Sequence, residues 1–226
     1  RFTSRQYTEI VRKILLERGI TQIKEGEPIF LEFSKDDPRL AMEMRALFGK
    51  AQRVGIYIFG SLEVIEGGKW KGKPVFSIVP SALPACEMNG QIYRMLRMPE
   101  WARTEHIEDI QRKINSIFVP SEIMEIDGRR YVFMPYIKNI EHPTTISRAE
   151  YEDFVERLEQ SGINFGSDIG ILREGEPMRT EDNIVRLNGK LYFCDPGDAI
   201  TRGLAKGTPD NLAYLKSAME SRITPK

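Results

Sequence analysis

Several stretches of the chain repeat apolar residues at the three- and four-residue spacing of a helix. Because this spacing places side chains on one face, it predicts helices over residues 4–18, 84–98 and 104–115. Gly90 weakens the second of these helices, since glycine is a poor helix former. The first half of the chain is therefore predicted to contain helices that bury one face each.

Capping residues predict three more helices. Asp36 and Asp37 precede Pro38, a proline well placed for a first helical turn, and that helix would end at Gly49. Ser147-Arg-Ala-Glu150 is a capping-box sequence, which predicts that a helix begins there and ends at Gly162. A last helix is predicted to begin at residues 208–209, and residues 200–207 before it are predicted to form a short segment without regular structure.

Other stretches are rich in β-branched and aromatic residues and are bounded by glycine, which predicts strands. In chain order these stretches are residues 28–33, 54–59, 62–66, 74–79, 122–126 and 130–137. Gly60-Ser61 separates the second stretch from the third, and Asp127-Gly128 separates the last two. Because both pairs are typical turn sequences, the pattern predicts an antiparallel meander and a later hairpin.

The clearest turn signal is Asn188-Gly189, between the strand-like stretches 184–187 and 190–193. A type I′ turn needs positive φ at both central residues, which asparagine and glycine tolerate best. A two-residue loop places Asn183 opposite Cys194. It also places Asp182 opposite Asp195, at the open end of the hairpin.

Two carboxylates and an amide thus meet at one end of the predicted hairpin. Directly opposed Cβ atoms in a sheet are about 4.5–5.5 Å apart, and like charges at that separation destabilise the pair. A hard divalent cation bound through oxygen ligands would relieve the repulsion. The pattern predicts a metal site at Asp182, Asn183 and Asp195, and the alternative is a solvated turn whose acids bind nothing.

The composition restricts the classes of partner that we expect the protein to bind. The 226 residues are 41% hydrophobic and 29% charged, as in an ordinary globular protein. Basic and acidic residues number 33 each, so no net charge favours nucleic acid or an acidic membrane as a partner. Cys86 and Cys194 lie far apart, which favours a reduced, cytoplasmic location. The sequence has no apolar run of membrane-spanning length.

Asp-Asn-Ile-Val at residues 182–185, followed by Asp-Pro-Gly-Asp-Ala at residues 195–199, resembles the metal-binding hairpin of the protein-kinase-like superfamily. This sequence motif is similar to that of aminoglycoside- and choline-kinase-type proteins and of short phage-encoded kinase-like chains. In that family an asparagine and an aspartate at these positions hold magnesium, which implies Asn183 and Asp195 as ligands, with Asp182 as a rival to Asn183. Pro196 replaces the family's usual phenylalanine.

The resemblance implies an α+β, two-lobed kinase-like fold that binds ATP and magnesium. Residues 1–52 would be an extension packed on the core. Residues 53–138 would form a small lobe with an antiparallel sheet, and residues 139–226 a truncated, mainly helical large lobe.

Nucleotide-binding residues follow from the same resemblance. Gly60 and Ser61 form a glycine bend whose backbone amides could approach phosphate, although an ordinary meander turn is the alternative. The backbone after Met134, close to Tyr136, would bind adenine. The alternative for both side chains is a place in the core.

Phosphoryl transfer also needs a carboxylate that orients the acceptor. The family's catalytic aspartate lies five residues before the asparagine, where this chain has Met178. Asp168 is the substitute, and it would require an inserted loop between it and the hairpin.

Phosphoryl transfer further needs a cation on the phosphates. The family's strand lysine has no counterpart within residues 75–78, so Lys73 just before them is the candidate, with Lys71 and Lys35 as rivals. Glu87, on the predicted helix 84–98, would pair with that lysine. Arg179 could carry the positive charge instead, because its planar fork suits phosphate.

Two classes of function remain, and a third is less supported. The first is an atypical ATP- and magnesium-dependent phosphotransferase that acts on a protein or small-molecule hydroxyl. The second is a pseudokinase that binds nucleotide or a protein partner, which the missing lysine and Met178 favour. The third is a metal-dependent hydrolase unrelated to kinases. We prefer the first.

Overall fold

The computed structural model describes residues 4–24, 27–40, 42–64, 72, 74–163, 183–194, 196–201, 203–204 and 209–224. Over these residues the chain is α+β, and its sheet pairing is mainly antiparallel. Contacts divide the chain into two units, Arg1–Met95 and Leu96–Lys226. The predicted boundaries after residues 52 and 138 do not coincide with this division.

The first unit contains two helices and most of the antiparallel sheet. Its elements are α1 (Ser4–Glu17), β1 (Ile29–Glu32), α2 (Met42–Arg45), a 3₁₀ helix (Ala46–Gly49), β2 (Arg53–Val64), β3 (Pro74–Met88) and β4 (Gln91–Arg97). The four strands are neighbours in that order, and α1 packs against β3 while α2 packs against β2. The register aligns one buried face of the sheet, formed by Leu31, Val54, Ile58, Cys86 and Met95.

The helix predicted over residues 84–98 is wrong. Residues 84–88 end β3 and residues 91–97 form β4, joined by Asn89 and Gly90 at φ 52° and 77°. This is the same turn chemistry that predicted the other hairpins, and the helical spacing of the apolar residues obscured it. Glu87 therefore lies on a strand.

The turn predicted at Gly60-Ser61 is also wrong. β2 continues from Arg53 to Val64, so the predicted strand 54–59 and the described part of the predicted strand 62–66 are one strand. Its register against β3 shifts on either side of Ser61, which marks a bulge. A bulge accommodates glycine inside a strand, so the glycine did not end it.

The second unit contains two hairpins and most of the helices. Its elements are a 3₁₀ helix (Glu100–Arg103), α3 (Ile107–Asn115), β5 (Glu122–Ile126), β6 (Arg129–Pro135), α4 (Arg148–Ser161), β7 (Ile184–Leu187), β8 (Lys190–Phe193), α5 (Gly197–Thr201) and α6 (Pro209–Glu220). The β5–β6 hairpin turns at Asp127-Gly128 as predicted. α5 was not predicted, and only its last two residues lie in the segment 200–207 that was assigned no regular structure.

Local signals placed α4 correctly and misplaced α2. The Ser147 hydroxyl accepts a hydrogen bond from the Glu150 amide, and the Ser147 amide donates one to the Glu150 carboxylate, while Gly162 closes the helix at φ 60°. The helix predicted from Asp36 to Gly49 is shorter, since α2 is described only from Met42. The carboxylate of Asp37 instead closes a turn by accepting from the Arg39 amide.

The second unit has its own hydrophobic core. Its largest fully buried side chains are Phe133, Phe154, Phe193, Ile114, Ile117, Leu158, Ile163 and Ile184. They come from β6–β8, α3 and α4 and from the connections beside them, so the core fixes the β7–β8 hairpin from the α4 side. Among the helices described here, none has both the length and the apolar character needed to cross a membrane.

Candidate metal-binding hairpin

The β7–β8 hairpin has the predicted turn and register. Asn188 and Gly189 have φ angles of 51° and 75°, as a type I′ turn requires. Leu187 pairs with Lys190, and Ile184 pairs with Phe193. The local sequence alone thus specified this element.

Asn183 and Cys194 face each other at the open end of the hairpin, as predicted. The Cys194 amide donates to the Asn183 carbonyl at 2.9 Å, and Cys194 Sγ lies 3.8 Å from Asn183 Oδ1. Asp182 and Asp195 are the next residues outward on each arm, and both lie outside the described residues. The structure therefore describes the frame that carries the two acids.

The β8 arm is held by the connection that follows α3. The Phe193 amide donates to the Ile117 carbonyl and the Val119 amide donates to the Phe193 carbonyl, both at 2.8 Å. The Phe193 ring packs against Phe118 and Phe154 at centroid distances of 5.6 and 5.1 Å. The position of Cys194 directly after β8 is consequently fixed by the contacts of its neighbour Phe193.

The β7 arm is held by Arg186. Its guanidinium bonds Glu150 at 2.6 Å, pairs with Glu141 and donates to the Thr145 carbonyl at 3.0 Å. Burial alone would raise the pKa of Glu150, but hydrogen bonds from Arg186 and Ser147 outweigh it and lower that pKa. The hydrogen bond to Glu150 raises the pKa of Arg186. A charged pair therefore fixes this arm.

Sequence reasoning missed Arg186 as an anchor. Its partners Glu150 and Glu141 are 36 and 45 residues away in the chain, so no local pattern indicates the pairing. Arg157 of α4 was missed for the same reason. It donates to the Leu191 carbonyl at 2.8 Å and to the Ser116 carbonyl at 2.9 Å.

The segment after the hairpin is fastened to the helices before β5. Trp101 Nε1 donates to the Ile200 carbonyl and Lys113 Nζ donates to the Leu204 carbonyl, both at 3.0 Å. Leu204 is buried and has a φ of 53°, which is uncommon for a branched side chain. Trp101 and Lys113 thus tie this segment to the rest of the second unit.

The predicted nucleotide residues are placed as follows. Glu87 accepts from Arg53 at 3.0 Å, so its described partner is an arginine and not a lysine. The Met134 side chain lies in the core of the second unit, and Tyr136 is half-buried just after β6. Adenine recognition by the backbone after Met134 stays a prediction.

The remaining predicted residues lie outside the described part of the chain, namely Asp168, Arg179, Lys73, Asp182 and Asp195. Gly60 and Ser61 lie within β2, as described above. Among the residues that can be examined, no three His, Cys, Asp or Glu side chains come together as a metal site would require. The predicted metal site rests on Asp182 and Asp195, which lie outside the described residues.

Comparison of the chain with protein-family models, with characterised proteins and with solved structures gave no significant match. The function must therefore be argued from the site and its chemistry.

Proposed function

We propose that the protein is an atypical, compact kinase-like phosphotransferase that uses ATP and magnesium. The observation that supports the proposal is the fixed β7–β8 hairpin, which presents Asn183 beside Cys194 at its open end. Asp182 directly precedes Asn183 in sequence, and Asp195 directly follows Cys194. Together with Asn183, these two acids would supply three oxygen donors, a ligand set that suits magnesium.

Phosphoryl transfer depends mainly on position and charge, because the protein performs little covalent chemistry in it. A rigid hairpin suits this task, since a metal ligand must be held within a fraction of an ångström. The contacts of Phe193 and Arg186 supply that rigidity on the two arms. The acceptor would be a hydroxyl of a protein or a small molecule, and Asp168 would orient it.

Turnover of labelled ATP tests the proposal. With magnesium, the purified protein should release or transfer the γ-phosphate, and Asp195→Asn should lower the rate by about 100-fold or more, as loss of a metal ligand usually does. Asp127→Asn is the matched control, because it makes the same change in the exposed turn of the β5–β6 hairpin. Equal rates for wild type and Asp195→Asn would refute the assignment of that residue.

A pseudokinase is the second candidate, and the pairing of Glu87 favours it. The glutamate expected to hold a phosphate-binding lysine is bonded to Arg53 instead. A pseudokinase should be stabilised by nucleotide through mass action without turning it over. A nucleotide-dependent rise in melting temperature with no loss of ATP would select this candidate.

A further inference from the structure

Arg94, near the middle of β4, has no matching anion among the residues that the structure describes. Its Nε is buried without a hydrogen-bond partner, and no hydrogen bond or ion pair joins its guanidinium to the described residues. Its one described interaction is with Phe59, whose ring centroid lies 5.5 Å from the Arg94 Cζ. The residue as a whole is half-buried, so part of the side chain is open to a ligand.

An aromatic ring does not satisfy such a guanidinium. The cation–π interaction uses the face of the ion, whereas the five N–H donors point outward in its plane. Leaving a buried charged donor without an acceptor is costly, and arginine does not escape the cost by losing its proton. An anion in the plane of the guanidinium would therefore satisfy the N–H donors of Arg94.

The sheet supplies acids to another arginine on the same face. Arg53 of β2 lies opposite Glu87 of β3, and Arg94 lies opposite Ala85, two residues before Glu87. Arg53 bonds Glu32 at 2.9 Å and Glu87 at 3.0 Å. Two carboxylates of the sheet thus balance the charge of Arg53.

The two positions next to Arg94 in its row of the sheet offer no acceptor side chain, and the row then reaches Glu32, whose carboxylate bonds Arg53. Ala85 is its cross-strand neighbour, and Gly55 is in turn opposite Ala85. Neither side chain can accept a hydrogen bond. The two positions that follow Arg94 across the sheet thus carry only small side chains, and no acid among the described residues pairs with its guanidinium.

We propose that Arg94 binds the phosphoryl oxyanion of a phosphate-bearing ligand, with the Phe59 ring against one face of its guanidinium. The planar fork of arginine matches two oxygens of a phosphate group, and such charge-assisted pairs are the strongest hydrogen bonds. The ligand class is an inorganic polyphosphate or a phosphorylated small molecule such as a nucleotide. The inference is independent of the proposed function, since it invokes neither metal nor phosphoryl transfer.

Calorimetric titration without magnesium tests the site. Tripolyphosphate and ATP are titrated into wild type, Arg94→Gln and Arg97→Gln. Arg97 is the matched control because it lies on the same strand, is exposed, and alternates to the opposite face. Arg94→Gln should weaken binding by about tenfold or more, as loss of a charge-assisted pair does, whereas Arg97→Gln should change it by less than about twofold.

The two titrants identify the source of the phosphate. Binding of both would indicate recognition of the polyphosphate itself, and binding of ATP alone would indicate that the nucleoside contributes. Either result supports the site if it depends on Arg94. Binding of both titrants by Arg94→Gln with wild-type affinity would overturn it.

A stability measurement tests whether the partner of Arg94 is an external anion or an acid of the chain itself. In chloride buffer without phosphate, Arg94→Gln should leave the melting temperature unchanged or raise it, because it removes an unpaired charge. A large fall in melting temperature would overturn the proposal, since it would mean that a carboxylate of the chain already pairs with Arg94. Neither measurement requires turnover, so failure of the phosphotransferase proposal would leave both results interpretable.

Discussion

At the scale of single residues, Gly55 shows how closely two strands can approach. A Cβ built on this residue of β2 would lie 1.9 Å from the Leu31 carbonyl oxygen and 2.7 Å from its carbon. Both atoms belong to the backbone of β1, so neither can move aside as a flexible side chain could. The position therefore requires glycine for lack of space and not for an unusual φ.

Gly55→Ala should destabilise the first unit by about 2 kcal/mol or more, the usual cost of forcing a group into a packed site. Gly49→Ala is the control, because a Cβ there would meet no atom within 4 Å. Urea denaturation of both variants measures the difference. A Gly55→Ala protein as stable as wild type would show that β1 moves away at little cost.

Asp37 is the residue whose charge most clearly depends on folding. Arg39 binds both carboxylate oxygens at 2.8–3.0 Å, and this hydrogen bonding lowers the pKa of Asp37 from 3.8 to about 2. A lowered pKa means that the folded state favours the charged form. Its contribution to stability is thus complete above about pH 4 and is lost as the pH falls through about 2.

Asp37→Asn should reduce the free energy of unfolding near neutral pH by about 1 kcal/mol, a figure that allows for the partial exposure of Arg39. The difference from wild type should vanish near pH 2. Denaturation curves between pH 2 and pH 7 measure it. Asp36→Asn is the control, since the structure describes no ion pair for this exposed neighbour, and a pH-independent difference for Asp37→Asn would contradict the assignment.

At the scale of elements, turn and capping sequences predicted structure better than apolar spacing did. Asn188-Gly189 and Asp127-Gly128 were identified as hairpin turns, and Ser147 as a helix cap, and the structure confirms all three. Asn89-Gly90 carries the same turn signal, yet the apolar residues around it suggested a helix. The spacing of Ile92, Met95 and Leu96 fits one face of a helix, whereas in β4 Met95 lies on the face opposite to the other two. Only the pairing between β3 and β4 therefore decided the matter.

The capping box at α4 is open to a direct test. Ser147→Ala removes the acceptor of the Glu150 amide and should cost about 1 kcal/mol in the free energy of unfolding. Ser147→Asp should retain most of it, because aspartate is an equally good cap. Thermal denaturation compares the two, and equal losses would show that the cap contributes little.

At the scale of the whole molecule, each unit has a core of its own. Phe33 is buried in the first unit with an exposed fraction of 3%, and Phe193 in the second with 1%. Phe193 packs between Phe118 and Phe154, both also in the second unit. The two aromatic residues therefore report on separate cores.

Phe193→Ala should destabilise the second unit by about 3–5 kcal/mol, the usual loss for a buried phenylalanine. Hydrogen exchange should accelerate mainly in residues 96–163 and 183–194, while residues 4–64 keep their protection. Phe33→Ala should produce the reverse pattern. Equal acceleration throughout the chain by either variant would show that the two cores unfold as one.

The sequence by itself determined the hairpins at Asp127-Gly128 and Asn188-Gly189, the cap of α4 and the α+β class, because turns and caps depend on neighbouring residues. Tertiary structure decided the features that depend on pairing between residues far apart in the chain. Because of this pairing, the region 84–98 contains two strands and β2 continues through Gly60. Pairing over long distances also places acids beside Arg186 and Arg53, whereas none of the described residues pairs with Arg94. These outcomes depend on which strands lie side by side, and a single stretch of sequence carries no information about its neighbours in the sheet.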